Sequence, residues 1–430
     1  MTRLSLLLEH LVLLTWTLLL LLASSTADNV ERQQEESLDF GLAEWVNSLP
    51  GGYFNPKQEI RRENPKDPKS ILGVFAKERI EEGEVLNRVP WNAIIVGYDE
   101  EVEDVEFITV ACAAAKKLAP EMKLGNASRF APYVRYLLNQ PQGQLPSAWS
   151  PQGKALLATL LGGNSSDPRI RPVDVAGWLD ETWIEDCHGD INDAFTAHAF
   201  MLVLQRADDD LMVPVYDLYN HRNGHYCNTI NRVNPRKNHE LRASRTVEPG
   251  EQLYLSYNLC AECTGRYIGY GTAEMFRDYG FIERYPQRWY FVEPELQFDL
   301  YEEVNAEGAV EYQVKWDRRL HPKKYSRRKI QELIQTLQED IQRIDQVQET
   351  AMKLQEWKNV PENEWNLIWE YKDTVRKAYS IAINELVLKE EDRVPIESPK
   401  ECILGDEDSR TIDSSGLDDP TCTSDSIQSS

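Results

Sequence analysis

The spacing of apolar positions changes period several times along the chain, and those changes divide it. From Leu38 to Leu49 apolar residues recur at helical spacing, and the pattern stops at Pro50-Gly51-Gly52, a strong helix breaker. Short β-like runs follow between Ile71 and Val96: Val74-Phe75-Ala76, Glu84-Val85-Leu86 and Ala93-Ile94-Ile95-Val96, punctuated by Gly83 and Pro90. Residues from about Asp99 to Arg206 read as mainly helical. Phe107 to Leu118 is alanine-rich and is expected to end at Pro120, and Ala194 to Arg206 is a second clear stretch. The β pattern then returns at Leu211 to Val215, Glu240 to Ser244 and Gln252 to Tyr257. A β-rich unit split by a helical insertion of small-domain length is therefore predicted.

The C-terminal part has a different rhythm. Ile330, Ile334, Leu337, Ile341, Ile344, Ala351 and Leu354 form one stripe at steps of three and four. A second stripe, Trp365, Ile368, Val375, Tyr379, Ala382 and Leu386, begins after Asn359-Val360-Pro361. Two such helices joined by a proline turn predict an antiparallel helix hairpin. Beyond Lys389 the chain is rich in carboxylates and serine and has no period, so a disordered tail is expected.

The N-terminus adds a compartment. Arg3 precedes an uncharged run from Leu11 to Ala23, and Ala23-Ser24-Ser25-Thr26-Ala27 supplies small residues before Asp28. This is the layout of a secretory signal peptide over residues 1–27. The mature protein is then expected to be lumenal or extracellular, with no stable membrane insertion after cleavage; an uncleaved segment would make a type II anchor. Two glycosylation sequons, Asn126-Ala127-Ser128 and Asn164-Ser165-Ser166, suit that route. So do seven cysteines, an odd count that leaves at least one unpaired within a monomer. Cys260-Ala261-Glu262-Cys263 invites a zinc site, but zinc takes four ligands and no further Cys or His stands at a recognised spacing. No metal is expected.

Charge narrows the partners. Against 47 basic residues stand 71 acidic ones, a net charge of -24. Such a field repels phosphate backbones, which argues against nucleic acid as a partner; it would draw in a basic protein or peptide, or serve solubility alone.

The chemistry concentrates in Val213-Pro214-Val215-Tyr216-Asp217-Leu218-Tyr219-Asn220-His221. Upstream stand Leu72-Gly73-Val74-Phe75-Ala76 and Gly83-Glu84-Val85-Leu86, then Ser128-Arg129-Phe130-Ala131-Pro132-Tyr133 and Pro146-Ser147-Ala148-Trp149. Arg206 precedes the Asn-His segment; Gly250-Glu251-Gln252-Leu253-Tyr254-Leu255-Ser256-Tyr257 and Tyr279-Gly280-Phe281-Ile282 follow it. In this order and spacing, over about residues 40 to 290, the chain resembles the divided SET-domain protein methyltransferases related to plant RuBisCO large-subunit methyltransferase.

That resemblance implies an α+β fold, with a β-rich SET domain interrupted by a helical insertion and followed by a C-terminal antiparallel helix hairpin. Its parts are expected at 38–98 and 207–294 for the SET domain, 99–206 for the insertion, 295–390 for a helical region and 391–430 for the tail. It implies S-adenosylmethionine as methyl donor and a protein-lysine side chain as acceptor. By the same resemblance, Gly73, Val74, Phe75, Asn220 and His221 bind the cofactor, largely through main-chain groups, and Arg206 pairs with its carboxylate. Tyr257 is the catalytic residue, while Asp217, Asn223 and Phe281 border the substrate channel. The chain departs from the family at Ile71 and Gln205, where a glycine and a serine are usual, and in the longer loop from Asn258 to Thr272. Asn220-His221-Arg222-Asn223-Gly224 also resembles a stretch of the actin-histidine methyltransferase, where an Asn at the place of Asn223 holds the acceptor imidazole. A histidine acceptor, or an inactive SET fold used for binding, is the alternative.

Overall fold

Helices and strands alternate in blocks. The structure, a computed structural model, describes residues 41–97, 107–162, 168–190, 192–208, 211–258 and 269–391. The expected signal peptide, the Asn164 sequon, Cys260 and Cys263, and the acidic tail from residue 392 lie outside the described residues.

Helix α1 (Leu42–Ser48) leads into strands β1 (Tyr53–Phe54), β2 (Gln58–Arg62), β3 (Leu72–Ala76), β4 (Val85–Pro90) and β5 (Ile95–Val96). The insertion carries α2 (Phe107–Leu124), α3 (Ala131–Leu138), α4 (Pro151–Leu161), a π-helical stretch Trp178–Asp186, and α5 (Ala194–Arg206). Then come β6 (Leu211–Met212), β7 (Thr229–Asn234), β8 (Asn238–Ala243), β9 (Gln252–Leu253) and α6 (Thr272–Tyr279). Strands β10 (Gln287–Phe291), β11 (Leu296–Val304) and β12 (Val310–Trp316) precede the long helices α7 (Arg327–Ala351) and α8 (Glu362–Glu391). The fold is α+β. Its sheets are small: β1-β4-β8-β7, β2-β3-β9, β5-β6 and β10-β11-β12, with every strand pairing antiparallel.

Two cores hold these pieces. The first joins Val74, Ile80, Leu86, Val213 and Leu253 of the split β unit to Leu118 of α2, Tyr133 and Leu137 of α3, and Phe200 of α5. The second joins Leu156 and Leu160 of α4 to Phe276 of α6, Phe298 of β11, and Leu337 and Ile368 of the long helices. The insertion is therefore not a separate body. Its α2, α3 and α5 complete the first core, while α4 turns toward the C-terminal part. Glu364 of α8 fixes that turn, accepting from Ser150 N–H at 3.0 Å and Ser150 Oγ at 2.6 Å at the start of α4. A disulfide, Cys112–Cys187, ties α2 to the residue after the π-helical stretch.

Several expectations are corrected here. The helical region expected from residue 295 begins instead with β11 and β12, which complete a three-stranded meander with β10. The reason is a period of two: Leu296, Phe298 and Leu300 are fully buried, whereas Asp299 and Tyr301 are only partly so. Helix α2 does not stop at Pro120 but runs to Leu124. Pro120 and Lys116 both lie on its exposed face, where water can take the carbonyl that the proline leaves free. The strand expected over Leu211 to Val215 ends at Met212. In the long helices both stripes turn inward, but Leu354 is exposed, and Asp340 is buried on the first stripe's face because Arg169 Nε donates to it at 2.5 Å.

Candidate active site

The site is built where two segments of the split β unit lie side by side. Past β9 the chain runs beside the Asn-His segment as a parallel bridge, His221 to Leu255. Leu255 N–H donates to the Asn220 carbonyl at 2.9 Å, and Arg222 N–H donates to the Leu255 carbonyl at 2.8 Å. Asn220 Nδ2 reaches across to the Leu72 carbonyl at 2.8 Å and so fastens this pair to β3. Gly73 follows directly. A Cβ there would stand 2.2 Å from Gln252 Nε2 and 2.9 Å from Asn220 Nδ2, so any other residue must push these two side chains aside.

Tyr257 sits at the end of the bridge. Its hydroxyl donates to the Tyr219 carbonyl at 2.9 Å, and its backbone N–H donates to His221 Nδ1 at 2.9 Å. Its ring lies 5.1 Å from His221 and 5.0 Å from Tyr279, and Phe281 closes the group at 6.0 Å from His221. Burial, only partly countered by Arg206, raises the Tyr257 hydroxyl above its ordinary pKa, so it is a proton donor at neutral pH.

The acidic side of the site is Asp217. The segment that delivers it bends at Val215, whose φ of 71° is one a β-branched residue rarely adopts. Such strain is held by its surroundings and clusters at functional sites. Arg206 Nη1 lies 3.4 Å from Asp217 Oδ2 and donates to Tyr136 Oη at 2.8 Å; its Nη2 donates to Gln140 Oε1 at 2.5 Å. Tyr133 Oη donates to Asp217 at 3.3 Å. Burial pushes the Asp217 carboxyl up to about 6 against the downward pull of Arg206 and Tyr133. For Arg206 burial works against the charge, but the neighbouring tyrosines and Asp217 outweigh it and raise its pKa.

The expected residues do not all face one channel. Arg206 was expected to offer its fork to a cofactor carboxylate, yet both terminal nitrogens are engaged by Tyr136, Gln140 and Asp217. Asn223, expected on the channel, is 1% exposed; its Nδ2 donates to Glu283 at 2.9 Å and its Oδ1 accepts from Ser256 Oγ at 2.9 Å. That placement corrects the channel assignment. The side chains of Val74 and Phe75 are buried, Phe75 beneath the Arg61 guanidinium at 3.5 Å. Only the main chain of this pair is left to meet a ligand. Sequence reasoning missed Glu283, the carboxylate on which His221, Asn223 and Asn258 converge. Its position two residues after Phe281 was the available signal.

Several buried polar atoms in this region have no protein partner: Gln252 Nε2 beside Gly73, and Arg206 Nε and Asp217 Oδ1 in the ion pair. Orphaned donors and acceptors of this kind call for a polar ligand or water. They fit a zwitterionic, hydrogen-bonding cofactor such as S-adenosylmethionine. No group of three or more His, Cys, Asp or Glu suited to a metal ion occurs among the described residues. A groove of about 330 Å³ between Pro120, Lys123, Trp183 and Thr196 lies apart and shares no residue with this site.

Residues 72–258 match the family model of the SET domain, and within that stretch the β unit is interrupted by helices. Among solved structures, the chain is similar to Rubisco LSMT bound to sinefungin and monomethyllysine, at 14% identity and a TM-score of 0.48, covering 82% of this chain and 91% of that one. It is also similar to the SET domain of LSMT bound to lysine and AdoHcy, at 13% identity and a TM-score of 0.43, covering 80% of this chain and 91% of that one. None of the curated proteins compared matches the sequence.

Proposed function

We propose that the protein is an S-adenosylmethionine-dependent protein methyltransferase acting on lysine side chains of a non-histone protein. The observation that carries this reading is the SET-domain match over residues 72–258 together with Tyr257 at the end of the Asn220-His221 bridge. When bound, the cofactor supplies a methyl group on a sulfonium, which needs an in-line nitrogen, close approach and little water. The chain offers Gly73 and Asn220 for the close approach, and Gln252 Nε2 as a donor without a partner. The Tyr257 hydroxyl and the Tyr219 carbonyl, 2.9 Å apart, present two oxygens to an incoming amine. Tyr279 and Phe281 shield them from water.

A lysine acceptor is favoured over histidine by Asn223. The residue that would hold an imidazole has both ends of its amide engaged inside the protein by Ser256 and Glu283. The secretory compartment proposed for the chain is supported by Cys112–Cys187, since oxidising compartments are where such bonds persist, and by the exposed side chain of Asn126 in its sequon. No helix among the described residues is long and apolar enough to cross a membrane.

The test incubates lumenal proteins from cells lacking this protein with methyl-labelled S-adenosylmethionine and the purified chain. Labelled methyllysine after hydrolysis is the expected product. Labelled methylhistidine alone would replace the acceptor, and no label in any protein would remove the reading.

A further inference from the structure

Glu283 takes no part in the roles above, yet four side chains around the site donate to its carboxylate. Its side chain has no exposed surface. Oε1 accepts from His221 Nε2 at 2.8 Å, Asn223 Nδ2 at 2.9 Å and Asn258 Nδ2 at 2.8 Å, and Oε2 accepts from Thr272 Oγ1 at 2.5 Å. These donors come from three separate pieces of chain: the Asn-His segment, the residue after Tyr257, and the first residue of α6.

The direction of the two His221 bonds is fixed. A backbone N–H can only donate, so the Tyr257 amide at 2.9 Å requires a bare Nδ1 on His221. The imidazole proton then sits on Nε2, which faces the Glu283 carboxylate. Ser256 Oγ lies 2.9 Å from the amide oxygen of Asn223 and 3.2 Å from that of Asn258, with one proton for the two, and both NH2 groups point toward Glu283. Loss of the acceptor at residue 283 would leave a buried imidazole N–H and two amide donors unpaired.

We infer that Glu283 is the positioning residue of this site: it holds His221 in the Nε2–H tautomer, and through His221 Nδ1 it fixes the backbone of Tyr257. It acts at one remove, since its carboxylate is enclosed by these donors and meets no reacting atom. The link also explains why Tyr279-Gly280-Phe281 and Glu283 lie together. One short segment supplies both the aromatic wall and the anchor behind it.

The test uses the full chain, with 15N-labelled histidine assigned through His221→Gln. Wild-type His221 should show an unprotonated Nδ1 and a protonated Nε2. Glu283→Met keeps the length and removes the acceptor. In folded E283M the Tyr257 amide should exchange with solvent at least about tenfold faster, while the Leu337 amide inside helix α7 is unchanged. Turnover should fall about 10–100-fold with cofactor affinity nearly kept, the scale of a misplaced reacting group. Glu283→Gln should recover most of that turnover, because its Oε1 can still accept from His221 while its NH2 donates to Thr272. A proton on Nδ1 in the wild type overturns the inference, and so does a folded E283M with unchanged Tyr257 exchange. If E283M does not fold, the wild-type tautomer decides. The turnover arm rests on the methyltransferase reading; the tautomer and exchange arms do not. A protein that binds no cofactor would thus refute that reading alone.

Discussion

At the scale of single residues, the site separates groups that face the reaction from groups that hold them. On the proposed reading Tyr257 is of the first kind, its hydroxyl donating to the Tyr219 carbonyl at 2.9 Å. Tyr257→Phe should leave S-adenosylmethionine affinity within about threefold and lower turnover about tenfold, the rate equivalent of one hydrogen bond of about 1.4 kcal/mol. Equal turnover in the variant would make Tyr257 a packing residue. Asp217 gives a pH signature. Its carboxyl titrates near 6 in the fold against an ordinary value of 3.8, so protonation favours the folded state. Its contribution to stability is greatest below pH 3.8 and is lost as pH rises through about 6, while the charged pair with Arg206 forms over that same rise. Carbon-13 titration of labelled aspartate, assigned with Asp217→Asn, should give a midpoint near 6; one near 4 contradicts the burial argument. Motif order made Gly73, Asn220, His221 and Tyr257 legible in the sequence. The inward turn of Asn223 and the partners of Arg206 were not, because both depend on residues more than fifty positions away, such as Glu283, Tyr136 and Gln140.

Among the elements, those with a strong period were readable and those built by their neighbours were not. The two long helices show their stripes in sequence, because each buries one face against the other and against β10 to β12. Asp345 of α7 pairs with Lys372 at 2.8 Å and Arg376 at 3.1 Å of α8, as the hairpin requires. Strands β1, β6 and β9 have only two residues each, too short for any period to show. Their place is set by pairing with distant partners. The insertion needs a fastening that periodicity also hides: Cys112 and Cys187 close a loop with a sequence separation of 75. Replacing both with serine should lower stability by about 2–4 kcal/mol, read from the denaturant midpoint. Protein from its native cell should carry both thiols protected from alkylation. Free thiols at both positions would contradict the bond and the proposed oxidising compartment together.

Taken as a whole, the molecule places its chemistry in the first core and uses the second as a brace. The first core holds Tyr219, Leu253 and Leu255, the last of which forms the bridge to His221, with Tyr257 packed against it. The second meets it through α6, where Phe276 stacks on Tyr371 at 4.4 Å and Thr272 reaches Glu283. A net charge of -24 repels phosphate backbones and attracts basic segments. All of this presupposes that the Gly73, Asn220 and Gln252 neighbourhood receives S-adenosylmethionine. Isothermal titration calorimetry on residues 28–395 measures that directly. One molecule of S-adenosylmethionine bound per chain, with binding weakened in Gly73→Ala, is the predicted result; folded protein that binds none at millimolar cofactor would contradict the account.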